Sequence, residues 1–391
     1  MQKTPRAILI VFCLLIISPA IGKFFNLDPF SSHNENRNPS QRPQLSWTEA
    51  DIENFPQEYQ AYFNDNFGFR STLVRGNFLL RYGLLGVSTS DRVVIGKNGW
   101  FYYTGQGALD DSRGITRFNE NHMRKWAHDL VLKKNWLNTK GIRYLLIIPP
   151  NKGTIYPEFL PDGYGRVSER TGLDDFTDYL RHHTDLTVLD LRAPLLAQKK
   201  KLNLFMRSDT HWNNYGAFLA YQDLIRQLSS WFPSIEPFEL DDFDISPRKR
   251  SAGDLAHMIG GSDFISEENY IFAPKKPFSA KMIEKEQGRR DPFTMTKVGT
   301  ALPRAIIFRD SFFTAMVPFV AEHFSVSRFI SERWNSRTQM DEILDEFNPD
   351  IVIEETVERL IEPDGNFFAQ GIPSYLATAV AGVRIETEKR E

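Results

Sequence analysis

Two short clusters of residues hold side chains able to do nucleophilic chemistry. Arg309-Asp310-Ser311-Phe312-Phe313 follows a run of β-forming residues, Ala305 to Phe308. A serine at such a strand-to-helix junction presents its hydroxyl, and the helix start offers unpaired N–H groups to a developing oxyanion. The same residues also fit a simpler role, with Asp310 or Ser311 capping the helix. The second cluster is Arg207-Ser208-Asp209-Thr210-His211-Trp212-Asn213-Asn214. In an extended segment, Asp209 and His211 point the same way. An aspartate can then orient a histidine that takes a proton from serine. The simpler reading is a turn into a helix, with Asn213 as its N-cap and His211 on the surface. A metal site needs further ligands, and only His257 and scattered carboxylates offer themselves, so no metal and no cofactor is expected.

A third segment, Pro149-Pro150-Asn151-Lys152-Gly153, closes the strand Arg143 to Ile148. Asn151, Lys152 and the backbone there are expected to reach the same crevice, or to form a turn only. Trp212 and Trp100 are the two aromatic candidates for a sugar surface, with core packing as the alternative.

These segments need a scaffold, and the periodicity supplies one. A helix is expected over Asn121 to Thr139, with Trp126, Leu130 and Leu137 on one face, followed by the buried strand Arg143 to Ile148. A helix around Asp174 to His183 leads to a strand at Leu186 to Leu191, and a helix over Asn213 to Ser229 follows. Further strands are read at Ala305 to Phe308 and Ile351 to Ile353, with a helix from Phe312 to Glu322 between them. Alternation of this kind predicts an α/β fold, a mostly parallel sheet flanked by helices, with its chemistry at the carboxyl ends of the strands. Before it, two amphipathic helices are expected either side of Gly68, then a hairpin over Val93 to Tyr103.

The N-terminus bears on location. Lys3 and Arg6 precede an uncharged run from Ala7 to Gly22. A positive flank before an apolar run is an export signal that keeps the N-terminus in the cytoplasm. Residues 1–23 are read as a signal-anchor or a signal peptide, the latter with cleavage after Ala20. Residues 24–46 are read as a flexible linker, polar and rich in Asn, Ser and Pro over Ser31 to Pro43. Residues 47–391 form the expected catalytic domain, with a charged, fraying end at Arg384 to Glu391.

The chain of 391 residues is 41% hydrophobic and 25% charged, with a net charge of -3. That composition excludes a disordered or collagen-like chain and carries no footprint of a nucleic-acid binder. Its one cysteine, Cys13, lies in the apolar run, which excludes an intramolecular disulfide and leaves thiol chemistry without a candidate.

Taken together, Asp209-x-His211-Trp-Asn, Asp310-Ser311 after a buried strand, and Pro149-Pro-x-Lys152 resemble the acetyltransferases of the AlgX/AlgJ type. Their domain is SGNH-hydrolase-like and circularly permuted. Phe63-Asn-Asp65-Asn-Phe67-Gly-Phe-Arg70, Val94-Ile-Gly-Lys-Asn-Gly-Trp100 and Gly253-Asp254-Leu255 extend the resemblance over residues 50–360. It implies Ser311 as an acetyl-carrying nucleophile, His211 as general base and Asp209 as the residue orienting it. It further implies a polysaccharide acceptor, alginate-like, and an acetyl donor relayed by a multi-pass membrane acyltransferase, with the catalytic domain in the periplasm at the inner membrane. Arg309 stands where ordinary SGNH enzymes have the glycine of Gly-Asp-Ser. An acetyl esterase using the same three residues, and a non-catalytic polysaccharide-binding scaffold, are the rival readings.

Overall fold

The computed structural model describes residues 4–29, 40–44, 47–285, 292–299, 301–331, 333–334 and 340–361. The expectations for most of the linker and for the C-terminal stretch lie outside the described residues. The chain divides into two compact units, 1–95 with 251–266, and 96–250 with 267–391.

The first unit contains the apolar helix Thr4–Phe24. Its stretch Ala7–Phe24, with a mean hydropathy of 2.4, is long and apolar enough to cross a membrane. The end of this helix is tied to the turn between helices Glu49–Asp65 and Arg70–Phe78. Lys23 Nζ donates to Asn66 Oδ1 at 2.8 Å, and the Asp28 carboxylate accepts from Ser71 N–H and the Thr72 hydroxyl. Gly68 has to be glycine there, because a Cβ would fall 1.8 Å from the Pro19 carbonyl oxygen. Phe78 is buried and stacks on Phe264.

The second unit is built on a seven-stranded sheet. Its strands are β1 (Arg143–Ile148), β2 (Val188–Asp190), β3 (Lys281–Lys285), β4 (Phe293–Thr296), β5 (Arg304–Phe308), β6 (Val326–Ile330) and β7 (Ile351–Glu355). They lie in the order β2-β1-β7-β5-β6-β4-β3. The first five in that order are parallel, with Ile351 of β7 level with Arg143 on one side and Ala305 on the other. At the far edge β4 pairs antiparallel with both β6 and β3. The sheet is therefore mixed, and this edge is absent from the sequence-based expectation. Its strands are short and half polar, and Lys281-Met-Ile-Glu-Lys has no helix-alternating neighbour to flag it.

Both faces of the parallel strands are apolar, as sheets covered on two sides require. Tyr144, Leu146, Ile148, Ile306, Phe308 and Val352 turn to one face. There they meet Trp126, Leu130 and Leu137 of helix Glu120–Thr139 and Phe176 and Leu180 of helix Gly172–His183. Each helix begins at a side-chain cap, Asn119 on His122 N–H for the first and a reciprocal Thr171–Asp174 box for the second. Leu145, Ile147, Ile307 and Ile353 turn to the other face and are fully buried. Helix Asn214–Ser229 brings Phe218 and Tyr221 against Phe319.

The expected helix from Phe312 to Glu322 is broken. The segment is a 3-10 turn Phe312–Ala315, a single α turn Val317–Val320 and a second 3-10 turn Ala321–His323. Pro318 is the physical reason. It has no N–H to give the carbonyl one turn back, and its ring crowds that carbonyl.

Candidate active site

Four segments converge at the carboxyl ends of the parallel strands. β5 ends in Arg309-Asp310-Ser311, β1 ends in Pro149 to Lys152, and β7 ends in Glu355 to Arg359. The fourth is the loop from Leu204 to Asn213. That loop closes as a narrow turn in which Phe205 and Trp212 form an antiparallel bridge. Met206 N–H donates to the His211 carbonyl and Asn213 N–H to the Leu204 carbonyl. Asn213 caps the following helix by accepting from Tyr215 and Gly216 N–H.

The turn sets Asp209, His211 and Ser311 in one line. His211 Nε2 lies 2.7 Å from Ser311 Oγ, across 100 residues of sequence. His211 Nδ1 lies 2.7 Å from Asp209 Oδ1, which also accepts the His211 main-chain N–H at 3.0 Å. Ser311 is exposed, the His211 side chain is 25% exposed, and Asp209 is buried. Burial by itself raises the Asp209 carboxyl. The hydrogen bonds and charge of His211, with the charge of Arg250, outweigh it and hold Asp209 well below the usual carboxylate range. The carboxylate thus stays ionised beside the imidazole, which suits it to stabilise a positively charged ring. Phe312 packs on the His211 ring, with centroids 4.8 Å apart.

Lys152 has a different place from the one expected. Its ammonium is buried and donates to three main-chain carbonyls, Met206 at 3.1 Å, Arg207 at 2.9 Å and Asp209 at 2.6 Å. An ammonium has three N–H groups. These three point into the protein, so Lys152 clamps the Asp-His turn. Asn151 is also turned inward. Its N–H donates to Glu358 Oε2 at 2.7 Å and its amide to Asp111 Oδ2 at 3.4 Å. Trp212 is 2% exposed, donates its indole N–H to the Phe312 carbonyl at 3.1 Å and meets the Phe312 ring edge-on. It is a buried support for the serine turn, and no face is free for a sugar. Trp100 is buried likewise, stacked on Phe159. Trp212 thus lacks the exposed place expected of it, while Asn151 and Lys152, though paired inward, line a small cavity with Tyr103, Thr210 and Arg359. In each case the partner is 40 or more positions away, and no local pattern announces it.

Several supports have no forecast in the sequence. Buried Glu267 accepts both the Arg207 N–H, at 3.2 Å, and the Ser208 N–H. Glu355 Oε2 accepts the Asp310 N–H at 2.7 Å. Glu358 accepts from Asn151 and from the Thr154 hydroxyl. Burial pushes Glu358 up, and burial with the neighbouring Glu358 charge pushes Asp111 up to about 8. A run reading Glu354-Glu355-Thr356-Val357-Glu358 suggests a solvated surface, which is why its role under the site is hidden. The one available signal is position, at the end of a strand that opens on apolar Ile351-Val352-Ile353. Arg309 turns away from Ser311 Oγ, its guanidinium reaching the Asp310 carbonyl and the Thr314 hydroxyl and lying 5.5 Å from the Phe293 ring centroid.

A mixed sheet with a Ser-His-Asp line at the ends of its parallel strands is an SGNH-hydrolase-like fold. Residues 93–274 match the family model described as SGNH hydrolase-like domain, acetyltransferase AlgX. Over that span the chain is similar to acetyltransferases of the AlgX/AlgJ type, the resemblance its motifs carry. Asp209 and His211 lie inside the matched span, and Ser311 lies beyond it. The Probable alginate O-acetylase AlgJ of Pseudomonas syringae pv. tomato is 25% identical over 225 residues, covering 56% of this chain and 51% of that protein. Its counterpart in Pseudomonas fluorescens is 27% identical, over 51% of this chain and 48% of its own length. The chain thus spans about half the length of the curated relatives it matches. Among solved structures, Bacillus cereus PatB1 covers 72% of this chain and 100% of its own, with a TM-score of 0.54 at 14% identity. That likeness is one of fold.

Proposed function

We propose that this protein is an exported O-acetyltransferase that moves an acetyl group to a polysaccharide hydroxyl through an acetyl-serine. The observation that carries the reading is the 2.7 Å approach of His211 Nε2 to an exposed Ser311 Oγ, with His211 Nδ1 held on a buried carboxylate.

The chemistry follows from that line. His211 Nε2 takes the hydroxyl proton as Ser311 Oγ bonds to the acetyl carbonyl carbon. The carbonyl oxygen becomes an oxyanion. The Phe312 N–H is already held by Asp310 Oδ1 at 2.7 Å, so the Ser311 N–H is assigned as the backbone donor to that charge. Asp209 stabilises the imidazolium. The donor alcohol leaves with the proton, and Ser311 holds the acetyl ester. A sugar hydroxyl then gives its proton to His211 and attacks the ester carbonyl, and Ser311 leaves with that proton restored.

The named activity of the AlgJ relatives supports a polysaccharide of alginate-like kind as the acceptor. The apolar helix near the N-terminus, behind Lys3 and Arg6, supports a single-pass tether at the inner membrane with the rest of the chain in the periplasm. From there the domain meets a multi-pass membrane acyltransferase that relays the acetyl group.

Incubation with an isotopically labelled acetyl donor, followed by peptide mass spectrometry, tests this directly. The expected result is a labelled acetyl ester on Ser311 that is discharged by added polysaccharide. An unmodified Ser311 with continuing transfer would refute the reading.

A further inference from the structure

The turn that carries Ser311 is held by its neighbours. On the N-terminal side the Asp310 N–H donates to Glu355 Oε2 at 2.7 Å. On the C-terminal side the Phe312 N–H donates to Asp310 Oδ1, also at 2.7 Å. The other Asp310 oxygen accepts the Val357 N–H at 3.0 Å. One carboxyl group, Glu355, therefore fixes the residue that in turn fixes both the nucleophile's turn and the loop after β7. The register places it there, because Glu354 lies level with Phe308 across the β7–β5 pair.

We propose that Glu355 is the positioning residue for Ser311, acting through Asp310. This rests on the reading of Ser311 as the nucleophile. Glu355 is buried and its Oε1 has no hydrogen-bond partner among the described residues. An ionised carboxylate with one bare oxygen in such a place carries a large desolvation cost, and the neutral acid does not. The charged groups facing it are Asp310, which opposes its ionisation, and Arg309, which favours it. Arg309 directs its hydrogen bonds to the Asp310 carbonyl and Thr314 instead. Burial first, and the Asp310 charge next, push Glu355 well above the usual range. Ionisation of Glu355 as pH rises sets two carboxylates against each other beneath Ser311 and loosens the turn, and the reaction slows.

The test uses the full chain and two variants, Glu355→Gln and Glu355→Ala, with a sulfonyl fluoride as a serine-directed probe and an activated acetyl ester as substrate. Glu355→Gln keeps an oxygen that accepts the Asp310 N–H and cannot ionise. It should stay within a factor of about three of the parent near neutrality and lose the parent's alkaline decline. Glu355→Ala should lose about 100-fold in kcat with KM little changed, as a misplaced nucleophile does. A folded Glu355→Ala with parental kcat, or a Glu355→Gln with the parent's alkaline decline intact, would overturn the proposal. If Glu355→Ala does not fold, the pH profile of Glu355→Gln decides alone. Failure of the probe to modify Ser311 in the parent would remove the nucleophile assignment itself, and that outcome is separate from normal labelling of the parent with an unaffected Glu355→Ala.

Discussion

The Lys152 ammonium lies 2.6 Å from the main-chain carbonyl of Asp209. It joins the end of one sheet strand to the carboxylate that holds His211, and the carbonyls of Met206 and Arg207 complete its coordination. It also lies between the faces of Trp100 and Tyr102, with the nitrogen 5.6 and 5.5 Å from the two ring centroids. The lysine that looked like a ligand-binding residue is thus the clamp of the Asp-His turn.

Lys152→Met should keep the length of the side chain and remove all three donors. We expect a loss of about 3 kcal/mol in stability, because the buried Met206 and Asp209 carbonyls lose their lysine donor while Arg207 keeps only the Phe101 N–H. Turnover of an activated acetyl ester should fall by roughly 10- to 100-fold as His211 loses its fixed distance from Ser311. Lys152→Arg should not restore either, since a planar fork cannot meet three converging carbonyls. Urea unfolding and initial rates check both statements.

His211 and Ser311 should behave as one unit. His211→Ala and Ser311→Ala should each abolish most of the turnover, and the double variant should be little worse than either alone. Multiplying losses would mean that the two side chains act in separate steps. The comparison needs only rates with one activated ester, each variant first checked for a native circular dichroism spectrum.

Asp209 links the site to acid stability. Its carboxyl is depressed in the folded protein, so its ionised form stabilises the fold fully above the ordinary aspartate range. That contribution is lost as pH falls below about 4 and continues toward the folded value. Asp209→Asn should therefore be less stable than the parent at neutral pH, and the gap should close in acid. Melting temperatures of the two proteins between neutrality and pH about 3 measure it. A gap that stayed constant would mean that the His211–Asp209 pair contributes no charge effect.

Topology is testable because Cys13 is the single native thiol. With Cys13→Ala as background, Gln60→Cys places one thiol at an exposed position of helix Glu49–Asp65. A membrane-impermeant maleimide should label it in cells whose outer membrane is permeabilised and whose inner membrane is intact. Labelling only after full lysis would put the domain in the cytoplasm.

Much of the scaffold was legible in the residues because local forces decide it. The strand Arg143–Ile148 and the helices Glu120–Thr139 and Asn214–Ser229 follow from apolar periodicity, the last also from Asn213 as its cap. Asp209, His211 and Ser311 were legible as side-chain types and spacings, and the family resemblance grouped them. Their 2.7 Å contact depends on the strand order, since 100 residues separate the histidine from the serine. Tertiary structure alone decided that Lys152, Asn151 and Trp212 turn inward, because a buried donor goes to whichever acceptor the fold brings near it. It likewise decided that Glu355 and Glu358 leave water to hold the site from below. A sequence states which groups can ionise or donate, but burial and the identity of a distant partner determine what each does, and both belong to the packed sheet.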